Sequence, residues 1–225
     1  MGNVTGVIGV SSPESARYSF FYSNLACVEK PQGTAMAHCT GACISQNRNS
    51  ISAQALDEGA EWVWFVDDDH VFQPTTLTRL LARNVDVVSG IYLQRGVPFN
   101  PHMYDREEPN GAVYPAYLTT GKKGLQEVLC TGAGCLLVKA KVLAALELPF
   151  WRLGQINPAV WGDDIDFCRR VRAAGFKIHC DLDVPVGHFF HGVLYPHRDA
   201  AGEWTTVFTD SQGRGLTSWP QNVPE

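Results

Sequence analysis

A run of five large apolar residues, Trp62 to Val66, is followed directly by Asp67, Asp68 and Asp69. Five consecutive apolar residues bounded by polar ones are typical of a strand buried on both faces, as in a parallel sheet. In an open α/β sheet, ligands bind in the space beyond the carboxyl ends of the strands. Three adjacent carboxylates repel one another, and a divalent cation among them relieves that repulsion. The sequence therefore predicts an α/β fold with a metal-binding acidic turn at the carboxyl edge of its sheet.

Strand and helix signals alternate on both sides of this segment. Residues 4–10, 62–66 and 85–88 have the pattern of strands, whereas residues 45–58 and 74–83 have the pattern of helices. This alternation is typical of a parallel sheet with helices on its faces. The chain has 225 residues, of which 45% are hydrophobic, and that suffices for one domain with a sizeable core. We therefore predict a single domain over residues 1–194, followed by a tail or a wrapping arm over residues 195–225.

The composition disfavours several classes of function. The chain has 23 acidic and 18 basic residues and a formal net charge of −5, so binding to DNA or to anionic membranes by bulk charge is not expected. No stretch reaches the roughly 18 apolar residues that a membrane helix needs. The first ten residues contain no basic residue and do not resemble a signal peptide. The seven cysteines include no CxxC pair, which favours reduced thiols. We expect a cytoplasmic protein with no membrane partner.

Two further polar segments carry candidate functional groups. Asp163 and Asp164 follow Gly162 at the start of a predicted helix, a position where acidic residues also serve as ordinary caps. A carboxylate that projects from this position can accept a proton from a hydroxyl nucleophile, and we assign that role to Asp164. His188 follows a predicted strand, where its imidazole would complete a metal site begun by Asp69. Carboxylate, imidazole and phosphate oxygens together favour Mn²⁺, with Mg²⁺ as the second possibility.

Four motifs, in this order along the chain, resemble those of GT-A glycosyltransferases, in particular small bacterial and phage members of the family-2 type. Asp67-Asp68-Asp69 resembles the Asp-x-Asp motif, and Thr131–Cys135 resembles the small-residue strand beside the acceptor. Gly162-Asp163-Asp164 resembles the Gly-Glu-Asp helix start, with Asp163 in place of the usual glutamate, and Gly187-His188 resembles the late metal-binding histidine. The resemblance implies a Rossmann-like three-layer α/β/α domain. Its nucleotide-sugar half would be residues 1–92, and its acceptor half would be residues 93–194.

The resemblance also implies a role for each matching residue. The expected metal ligands are Asp67, Asp69 and His188, and the expected catalytic base is Asp164. The residues expected to bind the nucleotide sugar are Val10, Ser11, Ser12, Arg17, Arg48, Asp67 and Asp68; the two arginines would meet the base or the diphosphate, because a guanidinium suits phosphate geometry. The residues expected on the acceptor side are Tyr92, Arg95, Phe99, His102, Tyr104, Gly132, Trp151, Trp161 and Asp163.

The implied activity is the metal-dependent transfer of a sugar from a UDP- or GDP-type donor to an acceptor hydroxyl. The acceptor would be a glycan, a protein, a small molecule or a modified DNA base, and Asp164 as the base implies inversion. Two alternatives remain open. A nucleotidyltransferase would share the sheet and the acidic metal site, but Ser11-Ser12-Pro13-Glu14 lacks the basic, glycine-rich loop that suits a triphosphate. A non-catalytic domain that binds a nucleotide sugar would keep the same fold.

Overall fold

The computed structural model of the chain describes residues 4–13, 18–41, 43–95, 99–156, 159–190, 193–209 and 217–220. The helices in these ranges are α1 (Ser19–Ala26), α2 (Ile44–Asp57), α3 (Thr76–Ala82), α4 (Ala140–Ala144) and α5 (Asp163–Ala173). The strands before residue 129 are β1 (Gly6–Ser12), β2 (Thr34–Thr40), β3 (Trp62–Asp67), β4 (His70–Val71), β5 (Val87–Ile91), β6 (Met103–Glu107), β7 (Val113–Pro115) and β8 (Leu125–Val128). The later strands are β9 (Cys130–Thr131), β10 (Cys135–Lys139), β11 (Gly154–Ile156), β12 (Ala159–Trp161), β13 (Ile178–Pro185), β14 (Gly187–Phe189), β15 (Val193–Arg198), β16 (Trp204–Thr209) and β17 (Thr217–Pro220).

A seven-stranded sheet forms the centre of the fold, in the order β2-β1-β3-β10-β5-β13-β8. Strands β2, β1, β3, β5 and β13 run in one direction, whereas β10 and β8 run against their neighbours. The predicted α/β fold with a mostly parallel sheet is confirmed. Because β10 lies between β3 and β5, a strand from the second half of the chain joins two strands of the first.

Helices cover both faces of this sheet and complete the three layers. Helices α2, α4 and α5 contribute to one core cluster, and α1 and α3 contribute to the other. Strand β3 serves both clusters, because successive side chains of a strand point to opposite faces. Val63 and Phe65 lie in the first cluster, whereas Trp64 and Val66 lie in the second. The five apolar residues before the acidic run are therefore required by a sheet that is buried on both faces.

The segment from residue 129 to residue 138, which the sequence presents as one strand, is divided in two. Strand β9 pairs with β6 in a small sheet, whereas β10 pairs with β3 and β5 in the central sheet. The residues between them, Gly132 to Gly134, turn the chain from one sheet to the other. This turn places the glycines beside the carboxyl end of β3, where the backbone N–H of Asp67 donates to the Gly134 carbonyl at 3.1 Å.

A second sheet carries the C-terminal strands, in the order β17-β16-β15-β14-β4. The boundary predicted after residue 194 falls inside β15. Leu194 on β15 and Trp204 on β16 are buried in the same cluster as α2, α4 and α5. Residues 193–209 are therefore packed into the domain. In the part of the chain that the structure describes, no helix is long and apolar enough to cross a membrane.

Candidate functional site

The acidic run lies at the carboxyl edge of the central sheet, as the strand before it dictates. Asp67 is the last residue of β3 and is paired in register with Ser11 of β1. Asp68 and Asp69 follow at once and are buried. Buried carboxylates need partners that offset the loss of water, so what surrounds each of them decides its function.

Asp69 belongs to a cluster with two histidines, His70 and His188. Strand β4 pairs with β14, and this pairing sets His70 directly opposite His188. Their rings stack with centroids 4.4 Å apart. Asp69 Oδ1 lies 3.1 Å from His70 Nδ1 and 3.7 Å from His188 Nε2. One potential ligand atom from each of the three residues lies within 4.8 Å of the others.

The hydrogen bonds of these imidazoles favour metal binding. His188 Nδ1 lies 2.7 Å from the Leu93 carbonyl oxygen. In the tautomer in which Nδ1 donates a hydrogen bond to this carbonyl, Nε2 has a lone pair available to a cation. Both ring nitrogens of His70 are buried, and neither makes an aligned hydrogen bond to another described residue. A divalent cation would satisfy these nitrogens, because it accepts lone pairs from imidazole and carboxylate alike.

The cluster's own charges also fit a cation. Burial alone would raise the pKa of Asp69, but the adjacent imidazoles of His188 and His70 hold it well below its usual value. Burial lowers the pKa of His70, and the neighbouring His188 lowers it further. An ionised carboxylate beside a neutral imidazole is the state that a metal requires. Two imidazoles and one carboxylate suit a transition-metal ion better than Mg²⁺, which prefers oxygen ligands.

The wall behind the histidines is built from Tyr92, His102 and the glycine turn. Tyr92 packs edge-on against His70 with centroids 4.6 Å apart, and its hydroxyl accepts a hydrogen bond from the Gly134 backbone N–H at 3.1 Å. A Cβ on Gly134 would lie 2.4 Å from His70 Cε1, and one on Gly132 would lie 2.0 Å from the Tyr92 hydroxyl oxygen. Burial, with the nearby His188 and His70, lowers the pKa of His102 to about 3. Tyr92, expected on the acceptor side, thus packs against His70. Gly132, expected on the same side, leaves room for the Tyr92 hydroxyl.

Arg48 on α2 joins two other carboxylates of the site. Its Nη2 donates to both oxygens of Asp67 at 2.9 and 3.0 Å, and its Nη1 donates to both oxygens of Asp163 at 2.9 Å. Burial alone would lower the pKa of Arg48, but the charges of Asp67, Asp163 and Asp164 raise it on balance. The guanidinium of Arg48 therefore lies between two carboxylates. Because both of its Nη atoms already donate to them, few of its donors are left for a diphosphate. Asp67 likewise binds Arg48 and is not part of the cluster of Asp69, His70 and His188. Its role as a metal ligand stays a prediction.

Asp164 follows Asp163, the partner of Arg48, in the first turn of α5. It is partly buried, and its Oδ1 accepts a hydrogen bond from the Ile165 backbone N–H at 2.8 Å. Burial raises the pKa of Asp164 to about 6; the charge of Arg48 opposes this shift, and that of Asp163 adds to it. A carboxylate whose pKa lies near neutrality is a stronger proton acceptor than an ordinary aspartate. Asp163 and Asp164 are therefore adjacent in sequence but differ in environment.

The remaining predicted residues occupy several places. Val10, Ser11 and Ser12 are buried at the end of β1, and Ser12 Oγ lies 3.3 Å from His38 Nε2. Arg17 lies outside the described residues, and of Trp161 only the backbone, in β12, is described. Arg95, expected toward the acceptor, instead forms an ion pair with Asp69, its Nη1 lying 3.0 Å from Asp69 Oδ2.

His70 is the functional candidate that the sequence prediction missed. Its one signal is its position directly after the acidic run, which by itself is equally typical of a turn residue. Only the pairing of β4 with β14 brings it to His188.

Comparisons with known proteins bear on the fold. No protein-family model matches the chain, and no curated protein matches it in sequence. Among solved structures, A197 from STIV is similar with a TM-score of 0.59 and 14% identity, over 97% of this chain and 95% of that one. Residues 1–349 of S. aureus TarS give a TM-score of 0.49 and 15% identity, over 79% of this chain and 58% of that one. A nucleoside-diphosphate-sugar pyrophosphorylase from Vibrio cholerae RC9 gives a TM-score of 0.39 and 10% identity, over 79% of this chain and 72% of that one. The chain shares its α/β fold with A197 over nearly the full length of both.

Proposed function

We propose that the chain is a metal-dependent glycosyltransferase that uses a nucleoside-diphosphate sugar. The observation that carries this proposal is that two groups with different chemistry lie at one edge of the sheet. Asp69, His70 and His188 have the donor set of a divalent-cation site. Asp164, which the charged chain Asp67–Arg48–Asp163 connects to the acidic run, has the raised pKa of a general base. These are the two groups that sugar transfer from a diphosphate requires.

The reaction would break the bond between the anomeric carbon and the diphosphate and form a bond to the acceptor oxygen. Asp164 takes the proton of the attacking hydroxyl, and the electron pair of the broken bond leaves on the diphosphate. A bound Mn²⁺ would neutralise the charge on the diphosphate, and Asp69, His70 and His188 are the residues that would hold this ion. Nearby carboxylates favour the positive charge that develops on the sugar. Because the base and the leaving group act on opposite sides of the anomeric carbon, the transfer would invert its configuration.

The first test is a binding panel of UDP, GDP, UDP-sugars, GDP-sugars, UTP and GTP, each with and without Mn²⁺, read as thermal shifts of the wild-type protein. Ligand at 100 times its dissociation constant stabilises the native state by about 2.7 kcal/mol, which is readily detected. We expect a Mn²⁺-dependent shift with nucleotides of one base. A shift that appears with triphosphates only would favour a nucleotidyltransferase, and no shift with any nucleotide would contradict the proposal.

The second test separates an enzyme from a binding domain by the variant Asp164→Asn. The amide keeps the shape of the side chain but cannot take up the hydroxyl proton. We expect Asp164→Asn to lose transfer, or donor hydrolysis where no acceptor is known, while its Mn²⁺-dependent nucleotide binding stays within about twofold of the wild type. Asp105→Asn, an exposed aspartate, serves as the matched control. Full turnover by Asp164→Asn would show that Asp164 is not the base.

A further inference from the structure

Arg95 is a second arginine at the acidic run, and its situation differs from that of Arg48. The Arg95 side chain is 43% exposed, while its partner Asp69 is 7% exposed. Arg48 is only 5% exposed, and its two Nη atoms are bound to Asp67 and Asp163. The side chain of Arg95 is therefore open to solvent in part, whereas that of Arg48 is almost fully buried.

The two oxygens of Asp69 face different partners. Oδ1 is the oxygen nearest to His70 and His188, whereas Oδ2 lies 3.0 Å from Arg95 Nη1. A cation bound by Oδ1 and the two imidazoles can therefore keep Arg95 on the other oxygen. In that arrangement the guanidinium lies at the immediate edge of the metal-ligand cluster.

We propose that Arg95 binds the diphosphate of the donor, next to the cation held by Asp69, His70 and His188. This inference rests on the proposed function and names the residue that would recognise the leaving group. A diphosphate held by a metal carries negative charge on its other oxygens, and a partly exposed guanidinium binds such oxygens in pairs. Arg95 thereby takes the role that the sequence assigned to Arg48.

This role makes an unusual prediction, because Arg95 should affect the metal and the diphosphate in opposite directions. A guanidinium 3.0 Å from Asp69 repels a divalent cation that binds the same carboxylate. The same charge attracts the diphosphate. Removing it should raise the affinity for Mn²⁺ alone and lower the affinity for Mn²⁺-bound diphosphates, whereas a purely structural residue would lower both.

The experiment is calorimetric titration of wild type, Arg95→Ala and Arg95→Lys with Mn²⁺ alone, and then, at saturating Mn²⁺, with UDP, GDP and inorganic pyrophosphate. For Arg95→Ala we expect Mn²⁺ affinity to rise about threefold and diphosphate affinity to fall about tenfold or more. Arg95→Lys keeps the charge without the paired donors and should recover part of the loss. Arg152→Ala is the matched control, because Arg152 is 51% exposed and pairs with Asp166 at 3.1 Å, apart from the acidic run.

Each outcome separates this inference from the proposed function. Equal losses of Mn²⁺ and diphosphate affinity, or unchanged diphosphate affinity, in Arg95→Ala would overturn the role of Arg95 even if the wild type binds nucleotides. Arg95-dependent binding of pyrophosphate without binding of either nucleotide would support Arg95 and contradict the proposed donor. A wild-type protein that binds none of the three diphosphates would contradict both.

Discussion

Asp163 and Asp164 show how one residue's surroundings decide its chemistry. Both begin α5, but Asp163 accepts two hydrogen bonds from Arg48, whereas Asp164 accepts one from the backbone of Ile165. Two neighbouring carboxylates held in different environments are a recurrent way to obtain one fixed charge and one group that titrates near neutrality. Asp163 holds Arg48 in place, and Asp164 is the carboxylate that we propose as the general base.

The pH dependence of transfer follows from the raised pKa of Asp164, which is about 6. A general base must be ionised, so kcat/KM should fall as the pH drops through about 6 and be nearly constant above it. The measurement is a pH profile between 5 and 8 with saturating Mn²⁺, with nucleotide binding measured in parallel to exclude loss of the metal. An acidic limb that persists unchanged in the residual activity of Asp164→Asn would assign the titration to another group.

Residues whose function follows from local pattern could be predicted, and those that depend on distant pairing could not. Asp67–Asp69 are marked by the buried strand before them, and Asp164 is marked by its place at a helix start. The positions of His70 and Arg48 depend on which strand and helix they meet across the fold. A sequence pattern has no access to that information, so the two carboxylates that Arg48 binds could not be predicted, and its contact with the base or the diphosphate stays a prediction.

At the level of elements, the glycine turn between β9 and β10 packs against the cluster of Asp69, His70 and His188, which we propose as the metal ligands. Gly134 faces the His70 ring, and Gly132 faces the Tyr92 hydroxyl. The sequence indicates glycines within a strand, which correctly signals a close approach. It gives no sign that the strand is split between two sheets, because Cys130 before the turn and Cys135 after it are the same type of buried residue.

The variant Gly134→Ala tests this close approach. Its Cβ would lie 2.4 Å from His70 Cε1, so the imidazole must move, and we expect Mn²⁺ affinity to fall about tenfold or more. Titration of Mn²⁺ by calorimetry or electron paramagnetic resonance measures the effect. In a His70→Ala background the added methyl group meets no ring, so Gly134→Ala should then change Mn²⁺ affinity little. An equal loss in both backgrounds would show that the turn acts by another route.

Across the whole molecule, Arg48 connects parts of the chain that are far apart in sequence. Its ion pairs bind α2 to the end of β3 and to the start of α5. The central sheet connects the same halves, since β10 is inserted between β3 and β5. The predicted division into a nucleotide-sugar half and an acceptor half stays a prediction, and strands from both ranges lie in one sheet.

The variant Arg48→Ala should destabilise the whole fold. It leaves Asp67 and Asp163 without the cation that offsets their burial, and breaking a buried ion pair costs about 3–5 kcal/mol. Urea unfolding at pH 7.5 measures the loss, with Arg152→Ala as the exposed control, for which about 1 kcal/mol or less is expected. A loss below 1 kcal/mol at pH 7.5 would contradict this account.

The insertion of β10 between β3 and β5 has a consequence for how the protein is made. A ribosome delivers the chain from its N-terminus, so β3 and β5 emerge before the strand that joins them. Until Cys135–Lys139 has left the exit tunnel, each of the two strands has an unpaired edge, and such edges can pair with other nascent chains. Translation that pauses between residues 92 and 135 should therefore yield aggregation-prone intermediates that holdase chaperones retain, because β3 and β5 cannot yet join through β10.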